Sequence, residues 1–332
     1  MRNIFFDNRW NGSHGIGRVS RMLESRLLLR RLNLSGSPVS PFDPIRFAWR
    51  TLFLPADSLV FSPGYNSPLF CRLQFIFIVH DLNHIDRLEN TSFLKRAYYR
   101  FVLRRACKFA QIVFTVSEFS RKRIIEWAEV SEDKVINISN GVDDIFTPFG
   151  ELFSPGYPYL LCVSNRKQHK NEIRLIQAFS AASIDNSIHL IFTGKPNEEL
   201  IELIKTLDLC AKIGFTGNIS DEDLPKLYRG ALALVFPSLY EGFGLPVIEA
   251  MASGTPVLTS NTSALPEVAG DISVLVDPTS VSAIAGGIQS LCNDSILRQE
   301  LRDRGLVWAQ KFSWDVVASR VKEAIEALPA KN

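Results

Sequence analysis

The chain has 332 residues, 46% hydrophobic and 22% charged, an ordinary globular composition too long for one core, so two domains are expected. Its five cysteines (Cys71, Cys107, Cys162, Cys210, Cys292) are scattered and free of any C-x-x-C pairing, which argues against zinc or a disulfide framework and for a reducing compartment. The net charge of +2 conceals 21 Lys and Arg against 14 Asp and Glu in residues 1–145, and 16 against 21 in the remainder, so the halves should meet different partners.

The N-terminus enters Asn3-Ile4-Phe5-Phe6 without the apolar core of a signal peptide, and no apolar run approaches the ~18 residues that span a bilayer. A cytoplasmic location is expected. Along the chain, strands alternate with helices, which predicts parallel sheets covered by helices. Residues 2–7 read as the first strand and lead to Gly15-Ile16-Gly17 at the head of an amphipathic helix. That pair could place amides near a phosphate, but Ser20 holds the third glycine position of a dinucleotide loop, and a lone G-x-G is a weak signal. Residues 34–58, with Pro38, Pro41, Pro44 and Pro55, read as an irregular excursion with little regular structure. Core strands follow at 59–64 and 74–79. The second ends at His80-Asp81, where α/β sites gather; position alone favours a hydrogen-bonded structural histidine and a turn-capping aspartate.

Residues 95–108 carry six basic residues, no acid and several aromatics. Lys95, Arg96, Arg100, Arg104 and Lys108 have helical spacing and predict one basic face. It reads either as a solvated surface or as a helix lying on anionic lipid, where each basic residue contributes about 1 kcal/mol. The acidic C-terminal half and the lack of any binding motif argue against nucleic acid. A strand at 112–116 and a helix capped at Ser117 come next, then a strand at 134–138. Asn140-Gly141 with Pro148, Gly150, Pro155, Gly156 and Pro158 is the best linker candidate, giving domains 1–145 and 146–312 and a terminal helical segment 313–332.

The second domain opens with a strand at 159–163 and the loop Ser164-Asn165-Arg166-Lys167-Gln168-His169-Lys170-Asn171 before a helix at 172–182. Its three cations are either a solvated surface or, with the helix N-terminus, a diphosphate site. Strands at 188–193, 212–216 and 232–236 follow. Phe215-Thr216-Gly217-Asn218-Ile219 reads by itself as an ordinary strand-helix turn. The apolar run 231–236 then meets Tyr240-Glu241-Gly242-Phe243-Gly244-Leu245-Pro246-Val247-Ile248-Glu249-Ala250-Met251-Ala252-Ser253-Gly254. Gly242 and Gly244 suit a sharp turn close to a ligand, Pro246 a first helical position and Gly254 a stop. Glu241 should lie in a loop at a strand's carboxyl end and Glu249 on the first turns of the helix, with the amides of Phe243, Gly244 and Leu245 facing an anion. Two acidic acceptors beside an anion site suit a nucleotide sugar; the plain alternative is a glycine-rich turn whose Glu complements the helix dipole. A strand at 255–260, a short helix from Ser263 and a terminal helix over 313–328, with an apolar stripe at Trp314, Val317, Val321, Ala324 and Ile325, complete the chain.

Glu241-x7-Glu249 within Pro237-Ser238-Leu239-Tyr240-Glu241-Gly242-Phe243-Gly244-Leu245-Pro246, continued by Gly254-Thr255-Pro256-Val257 and Leu265-Pro266-Glu267-Val268-Ala269-Gly270-Asp271, resembles the signature of the family-4 retaining glycosyltransferases of GT-B fold. The resemblance implies two Rossmann-like domains facing a central cleft, an acceptor-side first domain, a nucleotide-sugar-binding second domain, and a last helix that crosses back to the first. It implies that Lys170 and Arg166 hold the donor phosphates, although Arg166 stands closer to Lys170 than the family spacing, which leaves Lys167 as the alternative to it. Glu249 would accept the ribose hydroxyls, Glu241 the donor-sugar hydroxyls, and His80 would contact the sugar ring. Gly15 and Gly17 would face the diphosphate, with Gly242 to Leu245 beside it and Asn218 and Ile219 framing the base. The motif form is most similar to bacterial mannosyl- and rhamnosyltransferases of polysaccharide assembly, so GDP-mannose is the first donor expected, then a rhamnose donor, then UDP-sugars, with a lipid-linked saccharide as acceptor. No Asp-x-Asp pair stands near these motifs, so metal independence is expected and no cofactor is implied. A nucleotide-sugar epimerase of the same architecture and a non-catalytic binding module remain as alternatives, and a dehydrogenase is weaker for want of the third glycine.

Overall fold

Short runs of apolar, often β-branched or aromatic residues form two six-stranded, all-parallel sheets in the computed structural model, which describes residues 3–10, 12, 15–87, 89 and 91–329. They belong to two compact units, Met1–Gly141 with Ser313–Asn332, and Val142–Phe312. In the first, β1 (Ile4–Phe6), β2 (Arg30–Arg31), β3 (Leu59–Ser62), β4 (Gln74–Ile78), β5 (Ile112–Thr115) and β6 (Val135–Asn137) lie in the order β2-β1-β3-β4-β5-β6. Every residue of β3, β4 and β5 is buried, as parallel strands covered on both faces require.

The second sheet holds β7 (Tyr159–Cys162), β8 (His189–Phe192), β9 (Ile213–Phe215), β10 (Ala233–Phe236), β11 (Val257–Ser260) and β12 (Val274–Val276), ordered β12-β11-β10-β7-β8-β9. The chain lays β7, β8 and β9 in one direction, then returns to place β10 on the other side of β7. The loops leaving β7 and β10 therefore diverge at a topological switch point, where ligands of open α/β sheets bind.

Three expectations change. The 34–58 excursion contains the helix Asp43–Thr51, started by Pro44 in its first turn, where a missing N–H costs nothing. The basic segment is a composite rod of helix Phe93–Tyr98, a π turn Tyr99–Leu103 and helix Arg104–Phe109. Helices Val281–Asn293 and Ser295–Ala309 and the edge strands β2 and β12, all unexpected, complete the layers.

The terminal helix Trp314–Glu326 buries Trp314, Val317, Val321 and Ile325 among Phe6, Leu23, Phe61, Ile76 and Phe114 of the first unit. Arg26 meets Asp315 at 2.6 Å, and a Cβ on Gly141 would stand 2.6 Å from the Trp314 ring, so that glycine is what lets the indole lie flat against the backbone. All five cysteines are free, and burial pushes the thiols of Cys107 and Cys292 up to about 12 and about 11. Among the described residues no helix is long and apolar enough to cross a membrane.

Candidate active site

The second unit gathers its polar groups at the carboxyl ends of β7 and β10. Beyond β7, the 3₁₀ turn Gln168–Lys170 presents Lys170, and Asn171, at φ 62°, starts helix Glu172–Ala181. The buried Asn171 amide donates to the carbonyls of Pro237, at 2.9 Å, and Pro278, at 2.7 Å, so one side chain ties the loops after β7, β10 and β12. The Leu239 amide donates to the His169 carbonyl at 2.7 Å. With its backbone fixed this way, Lys170 Nζ lies 2.7 Å from Glu241 Oε1 and 4.7 Å from the centroid of the Phe236 ring. Their side chains keep 13% and 14% exposure, which leaves each accessible from one side.

Glu241 itself is held by its backbone, whose amide donates to Ser263 Oγ at 3.1 Å. Beyond it Gly244 caps helix Leu245–Ala252 at φ 108°, a conformation L side chains avoid, and a Cβ there would stand 2.7 Å from Leu265. Gly242 shows no such positive φ; of the two turn glycines only Gly244 is required on conformational grounds. The helix starts four residues after Glu241, the partner of Lys170, and an unpaired helix N-terminus and a cation both suit an anion. Glu249 falls in the second turn of the helix, past the positions where a carboxylate merely complements the dipole. It is 3% exposed, and its Oε2 accepts from Tyr228 Oη at 2.9 Å. No spacing in the sequence marked Tyr228 as its partner.

Arg166 turns elsewhere. At φ 63°, its guanidinium binds the Glu172 carboxylate and the Thr193 carbonyl, with the Phe192 and Phe215 rings 5.5 and 5.3 Å away. Its Nε is buried without a hydrogen-bond partner. Burial raises the Glu172 carboxyl above its ordinary range, against the opposing pull of Arg166 and Lys170. Lys167 is exposed. Beyond β9, Gly217 takes φ 67° and pairs with Gly194 across the β8 loop, which leaves Asn218 exposed and Ile219 half-buried beside it.

In the first unit, His80 follows β4 and is buried with its Nε2 2.9 Å from the Pro63 carbonyl oxygen. A carbonyl only accepts, so Nε2 carries the proton. Gly15 opens helix Gly15–Arg26 in an exposed position. Gly17 is buried, and a Cβ there would run into the Gly12 backbone, so its bareness serves closure of the loop. The larger feature of this unit has no signature in the sequence. Arg9 forks onto Asp7 at 2.7 and 2.8 Å and onto Asp43 at 2.6 and 3.0 Å, and Asn66 donates to Asp7 at 2.6 Å. This buried network anchors the proline-rich excursion to the end of β1.

Among the described residues no group of three or more His, Cys, Asp or Glu side chains is placed to hold a metal ion. Residues 144–308 match the family "Glycosyl transferases group 1" and residues 35–145 match "Glycosyltransferase Family 4". The chain is 32% identical to O-antigen chain mannosyltransferase B of Escherichia coli, over 90% of this chain and 82% of that one. It is 30% identical to the serotype-specific mannosyltransferase WbdA of the same organism over 80% of its own length, which spans only 33% of that longer protein. HepE of Anabaena, solved with UDP and glucose, superposes with a TM-score of 0.77 over 99% of this chain and 100% of its own, at 18% identity.

Proposed function

The chain belongs to the family-4 glycosyltransferases of GT-B fold, and from that premise we propose that it is a retaining mannosyltransferase using GDP-mannose. A rhamnose donor is the next choice and UDP-sugars follow. The acceptor is a hydroxyl of a lipid-linked or polysaccharide chain in cell-surface glycan synthesis, met on the inner face of the membrane. The mannosyltransferase names of the Escherichia coli relatives support the sugar.

The observation that carries the reading is the Lys170–Glu241 pair, 2.7 Å apart at the switch point beside the N-terminus of helix Leu245–Ala252. Transfer breaks the bond from the sugar's anomeric carbon to phosphate and forms one to the acceptor oxygen. The leaving diphosphate gains a negative charge while the sugar approaches an oxocarbenium ion. Lys170 and the helix amides stabilise the first, and a fixed donor of this kind contributes about 10²-fold or more. Glu241 receives donor-sugar hydroxyls and stabilises developing positive charge; it is not assigned as a nucleophile. The acceptor attacks from the face the phosphate leaves, and a phosphate oxygen takes its proton. Glu249 accepts the ribose hydroxyls with Tyr228 holding its other side, and Arg166 reaches a phosphate by releasing Glu172. Within the same unit, Asn218 and Ile219 frame the base. The scheme needs no metal, because Lys170 and backbone dipoles carry the charge.

The test is transfer of labelled mannose from GDP-mannose to lipid-linked saccharides. No transfer and no binding, alongside turnover of another nucleotide sugar, rules out the mannose donor. Tight nucleotide binding without turnover of any donor would indicate a binding module, and nucleotide release with an altered sugar and no acceptor would indicate an epimerase.

A further inference from the structure

The rod over residues 93–109 carries charge that the donor chemistry does not use. In an α-helix, side chains four apart drift around the axis, because 3.6 residues complete a turn. Here the π turn, closed by the Arg104 N–H bonding the Tyr99 carbonyl, is wider and takes up that drift. Arg96, Arg100 and Arg104 thus share one cavity of ≈ 450 Å³, walled by Ile85 and Trp127.

The carboxylates nearby are committed to other cations. Arg104 donates to the Trp127 carbonyl at 2.9 Å and meets Glu129 at 2.8 Å, and Lys108 shares that carboxylate at 3.5 Å. Asp86, next to Ile85, is held by Arg123 at 2.6 Å. Among the described residues no carboxylate lies within ion-pair distance of Arg96 or Arg100, so the cavity holds two guanidinium groups without a counter-ion beside an aromatic and an aliphatic wall.

We propose that this cavity binds a phosphate or diphosphate ester, separately from the donor site. Guanidinium forks match phosphate oxygens two at a time, and Trp127 with Ile85 covers the carbon next to the phosphate. The same chemistry is offered by a lipid head group or by a soluble phosphorylated compound. Phe93, Leu94 and Phe101 stand exposed on the rod, as a surface that meets lipid would require.

The experiment titrates the full chain with inorganic pyrophosphate by calorimetry, in excess GDP to occupy the donor site. It compares the parent with Arg96→Ala/Arg100→Ala and with Arg100→Lys. Both arginines are exposed, so folding should persist, and an unchanged melting temperature checks this. The double variant is expected to bind pyrophosphate about tenfold more weakly or worse, and the lysine variant to fall between. Equal pyrophosphate affinity in parent and double variant overturns the proposal, whatever the outcome for GDP-mannose turnover. Vesicles of phosphatidylglycerol and of phosphatidylcholine identify the source. Phosphatidylglycerol binding that pyrophosphate displaces and the double variant loses assigns a lipid head group; pyrophosphate binding lost while vesicle binding is unchanged assigns a soluble ester.

Discussion

The two units carry the same kind of sheet and use its switch point in opposite ways. In the first, strand order reverses between β1 and β3, and the space beyond is filled from within: Arg9 lies between Asp7 and Asp43, 1% and 0% exposed, Asn66 closes the network, and Trp10 packs on Gly64, where a Cβ would stand 2.6 Å from the ring. In the second, the point between β7 and β10 carries Lys170 and Glu241, which pair with each other at 2.7 Å while both keep some exposure, and a helix starts four residues beyond Glu241. Charges satisfied on every side hold a loop; charges satisfied on one side are available to a ligand.

The largest effect expected from breaking this contrast is in the first unit. Asp43→Ala leaves Arg9 buried with one of its two carboxylate partners and should cost about 3–5 kcal/mol in urea unfolding. A loss comparable to a surface substitution would mean the network does not hold the excursion. In the second unit, Lys170→Ala should lower kcat by about 10²-fold while changing stability little, because its partner Glu241 can reach water. If Lys170→Ala instead destabilises as Asp43→Ala does, the two sites are alike and the contrast fails.

Smaller still is Gly244→Ala, which forces a side chain onto φ 108° and against Leu265 and should cost about 1–3 kcal/mol, with weaker donor binding as the helix start shifts. Unchanged melting temperature and donor KM would contradict it. The smallest effect concerns Glu172, whose carboxyl is raised by burial in the folded chain. A raised folded value contributes stability below the ordinary carboxylate range and loses it as the pH rises through the raised value. Melting curves taken as the pH falls towards the ordinary carboxylate range should therefore show the parent gaining on Glu172→Gln; parallel curves would show that Arg166 cancels the burial.

Most strands and the motif loop were legible in the amino-acid sequence, because apolar runs of four to six residues bounded by glycine, proline and charge have few other uses. The placements of Glu241 in the loop after β10 and Glu249 on the following helix were legible too, because Pro246 and Gly254 suit a helix's start and stop, whereas the roles given to them rest on the resemblance. The helix Asp43–Thr51 was not, because four prolines nearby read as irregular chain until Arg9, more than thirty residues away in sequence, draws Asp43 into the core. Nor were the partners: Tyr228 beside Glu249, Glu172 on Arg166, and the π turn that lines up three arginines each depend on which elements the topology brings together. Local propensity and periodicity are properties of neighbouring residues and can be read in one dimension. Which charge is neutralised and which is left for a ligand depends on contacts between residues distant along the chain, and only the packed structure determines those.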